Sequence, residues 1–82
     1  MKILYFAKLK QLIGKSEETV RIKQKKKISQ VINELKNRND VYNFAFNETN
    51  SLQYAVNCEY VDLNFVVKDS DELAIFPPVS GG

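Results

Sequence analysis

One helical stripe limits what this chain can fold into more than any other feature. Ile28, Val31, Ile32 and Leu35 recur at i, i+3, i+4 and i+7. That spacing predicts one amphipathic helix over 28–38 with a single buried face. Ser29 is the only nearby cap candidate, and using it would leave Ile28 outside the helix. Asn37, Asn39 and Asp40 end the element. With 82 residues there is room for one core and no second. The stripe therefore has to be buried against whatever the rest of the chain builds.

The rest reads as strands and turns. Residues 2–7 predict a strand, with Ile3 and Tyr5 on one face and Leu4 and Phe6 on the other. Both faces are apolar, so the strand is central or one face meets a partner. Leu9, Leu12 and Ile13 have helical spacing over 8–13, and Gly14 suits the positive φ that closes a helix. A second strand follows over 17–22, antiparallel to the first. Val41, Phe44 and Ala45 add a short turn before the loop Asn47-Glu48-Thr49-Asn50. Further strands are expected over 52–56, at Tyr60-Val61 and Phe65-Val66-Val67, and over 72–76. The last has Leu73 and Ile75 inward, Ala74 and Phe76 outward, and Pro77-Pro78 stops it.

Strand, strand, helix, then strands is an α+β order. One helix must lie across one face of a mixed sheet. That is the layout of the β-grasp, or ubiquitin-like, architecture. The expected division is a β-grasp domain over 1–76 and an extended tail over 77–82.

Composition removes several kinds of chemistry. There is no histidine and one cysteine, Cys58. Histidine acid–base work, Ser–His and Cys–His nucleophiles and zinc sites of the Cys/His type are excluded within the chain. A lone cysteine forms no internal disulfide, which favours a reducing compartment. The N-terminal apolar run is short for a signal peptide, and no stretch reaches the length of a membrane span. A small cytoplasmic domain is expected, with no membrane and no metal. Twelve Lys and Arg against ten Asp and Glu leave a net charge of +2, too little to argue for nucleic acid. Lys23-Gln24-Lys25-Lys26-Lys27 reads as a solvated linker entering the helix rather than an anion-binding patch. Asp69, Asp71 and Glu72 open like a calcium loop, but Ala74 and Ser80 stand where Gly and Glu are required. Glu17-Glu18 reads as a solvated strand end, Cys58 as an incidental half-buried thiol, and Tyr5, Tyr42, Tyr54 and Tyr60 as packing residues.

The end of the sequence carries the chemistry: Pro77-Pro78-Val79-Ser80-Gly81-Gly82. Two final glycines arise by chance roughly 0.5% of the time at a usage of about 7%. The prolines set a semi-rigid exit from the sheet. Six residues span at most about 20 Å. Such a tail can thread a narrow tunnel and deliver a glycine carboxylate, with no β-carbon to hinder attack, into another protein's active site. Adenylation by ATP would activate that carboxylate, and a sulfur donor could displace AMP to leave a thiocarboxylate. None of this needs a catalytic side chain in the chain itself.

Several segments together resemble the small sulfur-carrier subunits of molybdopterin synthase. They are Tyr5-Phe6-Ala7 with Leu9, Leu12 and Gly14, then Ala55-Val56-Asn57, then the run from Asp71-Glu72 to Gly82. The resemblance spans essentially the whole chain. It implies that Gly82 carries the sulfur, as adenylate and then thiocarboxylate, and that Gly81, Ser80, Val79, Pro78 and Pro77 form the threading tail. It implies a large synthase subunit as partner in a heterotetramer, and cyclic pyranopterin monophosphate as the acceptor that becomes molybdopterin. It also implies an adenylating enzyme of the ubiquitin-activating type that uses ATP, and a sulfur donor. No cofactor is bound permanently, and the chain is not an enzyme on its own. Leu4, Phe6, Ala74 and Phe76 are expected to form the apolar patch that docks on the large subunit. Two departures bear on stability. Ser70 stands where the family usually has Gly, and Lys27 where it often has a Thr or Ser cap. The alternatives are a sulfur carrier for thiamine or tRNA thiolation or protein modification, and a passive β-grasp interaction module.

Overall fold

The first strand is buried along one edge of every second residue. Ile3 and Tyr5 are inaccessible, whereas Leu4 is half-buried and Phe6 exposed. That alternation sets the layers in this computed structural model, which describes residues 1–78. Strand β1 (Lys2–Tyr5) runs parallel to β7 (Glu72–Phe76) on one side and antiparallel to β2 (Glu17–Thr19) on the other. Strand β4 (Gln53–Val56) pairs antiparallel with β7 and with β5 (Glu59–Val61). Among the described residues this gives a five-stranded mixed sheet in the order β2-β1-β7-β4-β5. A short antiparallel pair, β3 (Lys26–Lys27) with β6 (Val66–Val67), lies apart from it.

Among the described residues there are three helices: α1 (Ala7–Ile13), α2 (Ile28–Arg38) and α3 (Asp40–Glu48). The stripe of α2 is buried as its spacing requires, at Ile28, Val31, Ile32 and Leu35. These side chains share one core with Ile3, Tyr5, Leu73 and Ile75 of the sheet. Each buried aliphatic contributes about 1.5–3 kcal/mol relative to an exposed one. A charge at Leu35 would be enough to break the layer. Gly14 closes α1 at φ 89°, and its N–H donates to Lys10 O.

Several elements depart from the sequence reading. The first strand stops at Tyr5, because Phe6 is already the N-cap of α1 and Ala7 has φ 53°. The second stops at Thr19, although Val20 and Ile22 remain buried and Val20 N–H donates to Met1 O. Lys27, not Ser29, holds the N-cap position of α2, where its backbone N–H donates to Gln30 Oε1 at 2.8 Å. Ile28 therefore stays inside the helix.

The largest difference is α3, expected as a brief turn and found as a nine-residue helix. Asn39 ends α2 and caps α3 at once, its Oδ1 accepting the Val41 N–H at 2.8 Å. Tyr42, Ala45 and Phe46 are the buried face, while Val41 and Phe44 are exposed. The residues read as loop include its last turn, where Thr49 Oγ1 donates to Ala45 O.

Candidate functional site

The outer face of the sheet is built from a row of register partners. Leu4 of β1 lies opposite Ala74 of β7, Ala74 opposite Ala55 of β4, and Ala55 opposite Tyr60 of β5. Two alanines in the middle of that row leave a floor. Aromatic rings form the rim. Phe6 meets Phe76 edge to face, with centroids 6.4 Å apart at 87°, and Tyr60 leans on Phe76 at 5.8 Å. The result is an open groove of about 620 Å³. Ala7, Cys58, Pro77 and Pro78 complete its lining, and no charged side chain takes part. The tail thus begins at the groove: Pro77 and Pro78 are part of its wall.

Of the patch expected from sequence, Phe6, Ala74 and Phe76 line the groove together. Leu4 sits half-buried beside Ala74 on the same face. Val79, Ser80, Gly81 and Gly82 lie outside the described residues. Tyr60 was expected to pack, but is 78% exposed and forms part of the rim. Cys58 was expected to be half-buried and is exposed at the groove. The pairing of Ala55 with both Ala74 and Tyr60 was the missed signal, and it depends on strand register that the sequence does not print.

Asn57 and Cys58 form the two-residue connection between β4 and β5, with φ of 49° and 72°. Two successive positive φ values are what a type I′ hairpin needs. Asn tolerates that region better than most residues. The Asn57 amide also binds Asp71 and Glu72, so the hairpin is fixed to the start of β7. This holds Cys58 and Tyr60 at the same level as Ala74.

The Asp71 carboxylate is buried and fully partnered. Burial alone would raise its pKa, but the Lys68 N–H, the Lys68 ammonium and Asn57 outweigh it and hold the carboxyl below its usual range. Ser70, in the turn before it, is absent from the residues with positive φ, so the missing glycine costs no backbone strain there. Glu18 was expected to be solvated. Instead its Oε2 accepts the Tyr5 hydroxyl at 2.6 Å and the Tyr42 hydroxyl at 2.5 Å. Burial works against its charge, but these donors and Lys15 win and lower its pKa. Tyr5 is raised in turn, first by burial and then by Glu18. This network lies on the helix side of β1 and serves the core.

What the groove can do chemically is narrow. It offers apolar contact and no nucleophilic pair, no acid–base pair and no anion clamp. It can receive an apolar partner surface and orient the chain that leaves it at Pro78. The sequence as a whole carries a family signature: residues 3–82 match the ThiS family. The chain belongs to the ThiS family.

Two curated relatives are of one kind. The molybdopterin synthase sulfur carrier subunit of Homo sapiens is 34% identical over 85 residues, covering 100% of this chain and 93% of its own length. That of Dictyostelium discoideum is 35% identical over 83 residues, covering 99% and 94%. Among solved structures, SAMP1 from Haloferax volcanii superposes with a TM-score of 0.78 over 100% of this chain and 98% of its own, at 24% identity. At that identity the likeness speaks for the fold, an α+β ubiquitin-like β-grasp. Among the described residues, no helix is long and apolar enough to cross a membrane.

Proposed function

We propose that this ThiS-family chain is the sulfur carrier subunit of a molybdopterin synthase. It contributes a tail rather than a catalytic side chain. The Gly82 carboxylate attacks the α-phosphorus of ATP on an adenylating enzyme, releasing pyrophosphate and leaving an acyl adenylate. A sulfur nucleophile then displaces AMP, and the terminus becomes a thiocarboxylate. In the synthase, the sulfur passes to cyclic pyranopterin monophosphate, and water returns the terminus to a carboxylate. Gly81, Ser80 and Val79 are the narrow stem that enters the large subunit. Phe6, Ala74, Phe76 and Tyr60 are the surface that seats on it. ATP is consumed on the partner, and no cofactor resides on this chain. Two such carriers per product imply a heterotetramer, acting in the cytoplasm.

The observation that carries this reading is the full-length similarity to named sulfur carrier subunits in a chain that ends Pro-Pro-Val-Ser-Gly-Gly. The groove supports it, because an uncharged docking face lies at the root of that tail. The test is a reconstitution. The thiocarboxylated chain is mixed with a molybdopterin synthase large subunit and cyclic pyranopterin monophosphate, and the dithiolene product is assayed. Product is expected from the intact chain and none from the chain lacking Gly82. A complex that forms without product would remove the tail chemistry and leave the docking face. Neither complex nor product would turn the assignment toward thiamine or tRNA thiolation partners.

A further inference from the structure

The chain has ten lysines and two arginines, and both arginines line the same cleft. Arg21 lies two residues beyond β2, and Arg38 is the last residue of α2. The cleft is narrow, about 30 Å³, and Lys26 and Glu34 line it with them. Its apolar lining, Val20, Ile22, Val31 and Leu35, is buried. Lys26 also lines a neighbouring open hollow of about 370 Å³, with Lys23, Gln24, Lys25 and Gln30. The shared lysine joins cleft and hollow into one strip. Arg21, Lys23, Lys25 and Arg38 are exposed. Among the described residues, these four enter no ion pair. Lys26 holds the Glu34 carboxylate at 2.7 and 3.1 Å, so Arg38, one turn further along α2, is left without it. The carboxylates that feel the arginine charges are engaged elsewhere. Asp69 accepts from the Met1 ammonium and the Ile22 N–H, and Glu18 from Tyr5 and Tyr42.

We propose that this strip is a second docking surface, for an acidic segment of a partner protein. Charge complementarity selects that occupant. The strip holds five cations and one carboxylate, a local +4 on a chain of net +2, so the remaining residues sum to −2. Sequence spacing left the lysines as a solvated linker; the fold brings both arginines to them. Guanidinium forks bind carboxylates in pairs of hydrogen bonds, which fixes the orientation of a bound segment. The strip runs from the approach to α2 to its last residue, and a helix of that length spans about 16 Å. About five residues of extended chain cover that distance. A free phosphate would touch only one point of it. The N–H groups of Ile28 and Ser29, which open α2, already donate to Phe65 O and Leu63 O, so the attraction comes from side chains. An anionic bilayer needs exposed apolar side chains to enter it, and those of the cleft are buried. Among the described residues, no aromatic ring lines cleft or hollow to stack on bases. The strip shares no residue with the groove, so both can be occupied together. It stands independently of the sulfur-carrier reading; with that reading, a protein that holds the strip leaves the tail free to enter an active site. Exposed charges of this kind speed association and weaken with salt.

The full chain, labelled with ¹⁵N, would be titrated with hexaglutamate, with hexaglutamine as the uncharged control. Saturable shifts are expected at the amides of Arg21, Lys23, Lys25 and Arg38 and at the Nε–H of both arginines, and none with the control. Arg21→Gln/Arg38→Gln is expected to weaken binding roughly tenfold. Lys8→Gln/Lys10→Gln removes the same charge from α1 and should change binding less than about twofold, which separates a built strip from net charge. If the arginine variant is not folded, Lys23→Gln/Lys25→Gln, at exposed positions outside any strand or helix, replaces it with the same expectation. The chain lacking Gly82 should bind equally well, which separates this surface from the tail chemistry. Shifts at Tyr60 and Phe76 instead, an equal loss in the Lys8→Gln/Lys10→Gln variant, or no saturation would overturn the proposal. So would tighter binding of inorganic phosphate, a single-stranded oligonucleotide or anionic vesicles through the same residues.

Discussion

Asn57 and Asp71 lock two turns of the sheet together. The Asn57 Nδ2 donates to Asp71 Oδ1 at 3.0 Å, its Oδ1 accepts the Glu72 N–H at 3.0 Å, and its own N–H donates to Glu72 O at 2.9 Å. Asn57 sits at a positive φ of 49° while doing so. One side chain therefore satisfies the hairpin after β4 and the entry to β7, the two strands whose alanines floor the groove. The Ala55-Val56-Asn57 segment thereby acquires a physical role that the sequence did not disclose.

Replacing that residue separates its two contributions. Asn57→Ala loses the side-chain bonds and places a less tolerant residue at positive φ, for an expected cost of roughly 2–4 kcal/mol. Asn57→Gly keeps the backbone and loses only the bonds, so it should cost about half as much. Urea denaturation of the two variants checks this. Equal losses would mean that the hairpin backbone carries no strain.

The groove predicts a division between binding and folding. Tyr60 is so exposed that Tyr60→Ser should leave stability within about 0.5 kcal/mol. Phe76→Arg removes the ring that touches both Phe6 and Tyr60, and should cost somewhat more while the chain still folds. Both should weaken the complex with a synthase large subunit, Phe76→Arg by 2 kcal/mol or more if it is a central anchor, on the order of a hot-spot residue. Calorimetric titration of the two variants decides it; unchanged affinity in both would exclude the groove as the docking face.

Acid should destabilise the fold through two carboxylates. Asp71 and Glu18 both ionise more readily when folded than when unfolded. Their stabilisation is fully present above the unfolded values of about 3.9 and 4.3 and is lost as pH falls through the lower folded values. Asp71→Asn should be less stable than the parent at pH 7 and show a shallower decline between pH 5 and 2 (about the range a lowered carboxylate spans). Tyr5 works in the opposite sense. Its folded pKa is raised, so its contribution persists below about pH 10 and fades as pH rises beyond it. Stability curves measured at both extremes would reveal each limb.

Cys58 lines the groove and is exposed, and among the described residues no charged side chain lines the groove with it. Cys58→Ser should leave sulfur transfer unchanged in the reconstituted synthase. Loss of transfer with docking intact would give the thiol a part in the chemistry and revise the mechanism proposed for Gly82.

Periodicity exposed most of the scaffold. The stripe of Ile28, Val31, Ile32 and Leu35 gave α2 its bounds, because an amphipathic helix writes its buried face directly into residue spacing. Alternation did the same for Ile3 and Tyr5 and for Leu73 and Ile75. The helix α3 was obscured because Asn39 and Asp40 look like a stop. They are a stop and a start, and Tyr42 and Phe46 declare the buried face only once Asn39 is known to cap a second helix.

The residue order determined the parts of this protein: which faces are apolar, where one helix must lie, and the run Pro77-Pro78-Val79-Ser80-Gly81-Gly82 after the last strand. Tertiary structure decided what those parts form together. Register set Ala74 beside Ala55 and Ala55 beside Tyr60, and so made one groove of residues drawn from both ends of the chain, from Phe6 to Pro78. It turned Glu18 inward onto two tyrosines and Asn57 onto Asp71. Spacing along a chain fixes the face that a side chain takes within its own element. Which neighbour it meets depends on pairing between distant strands, and only the folded sheet supplies that.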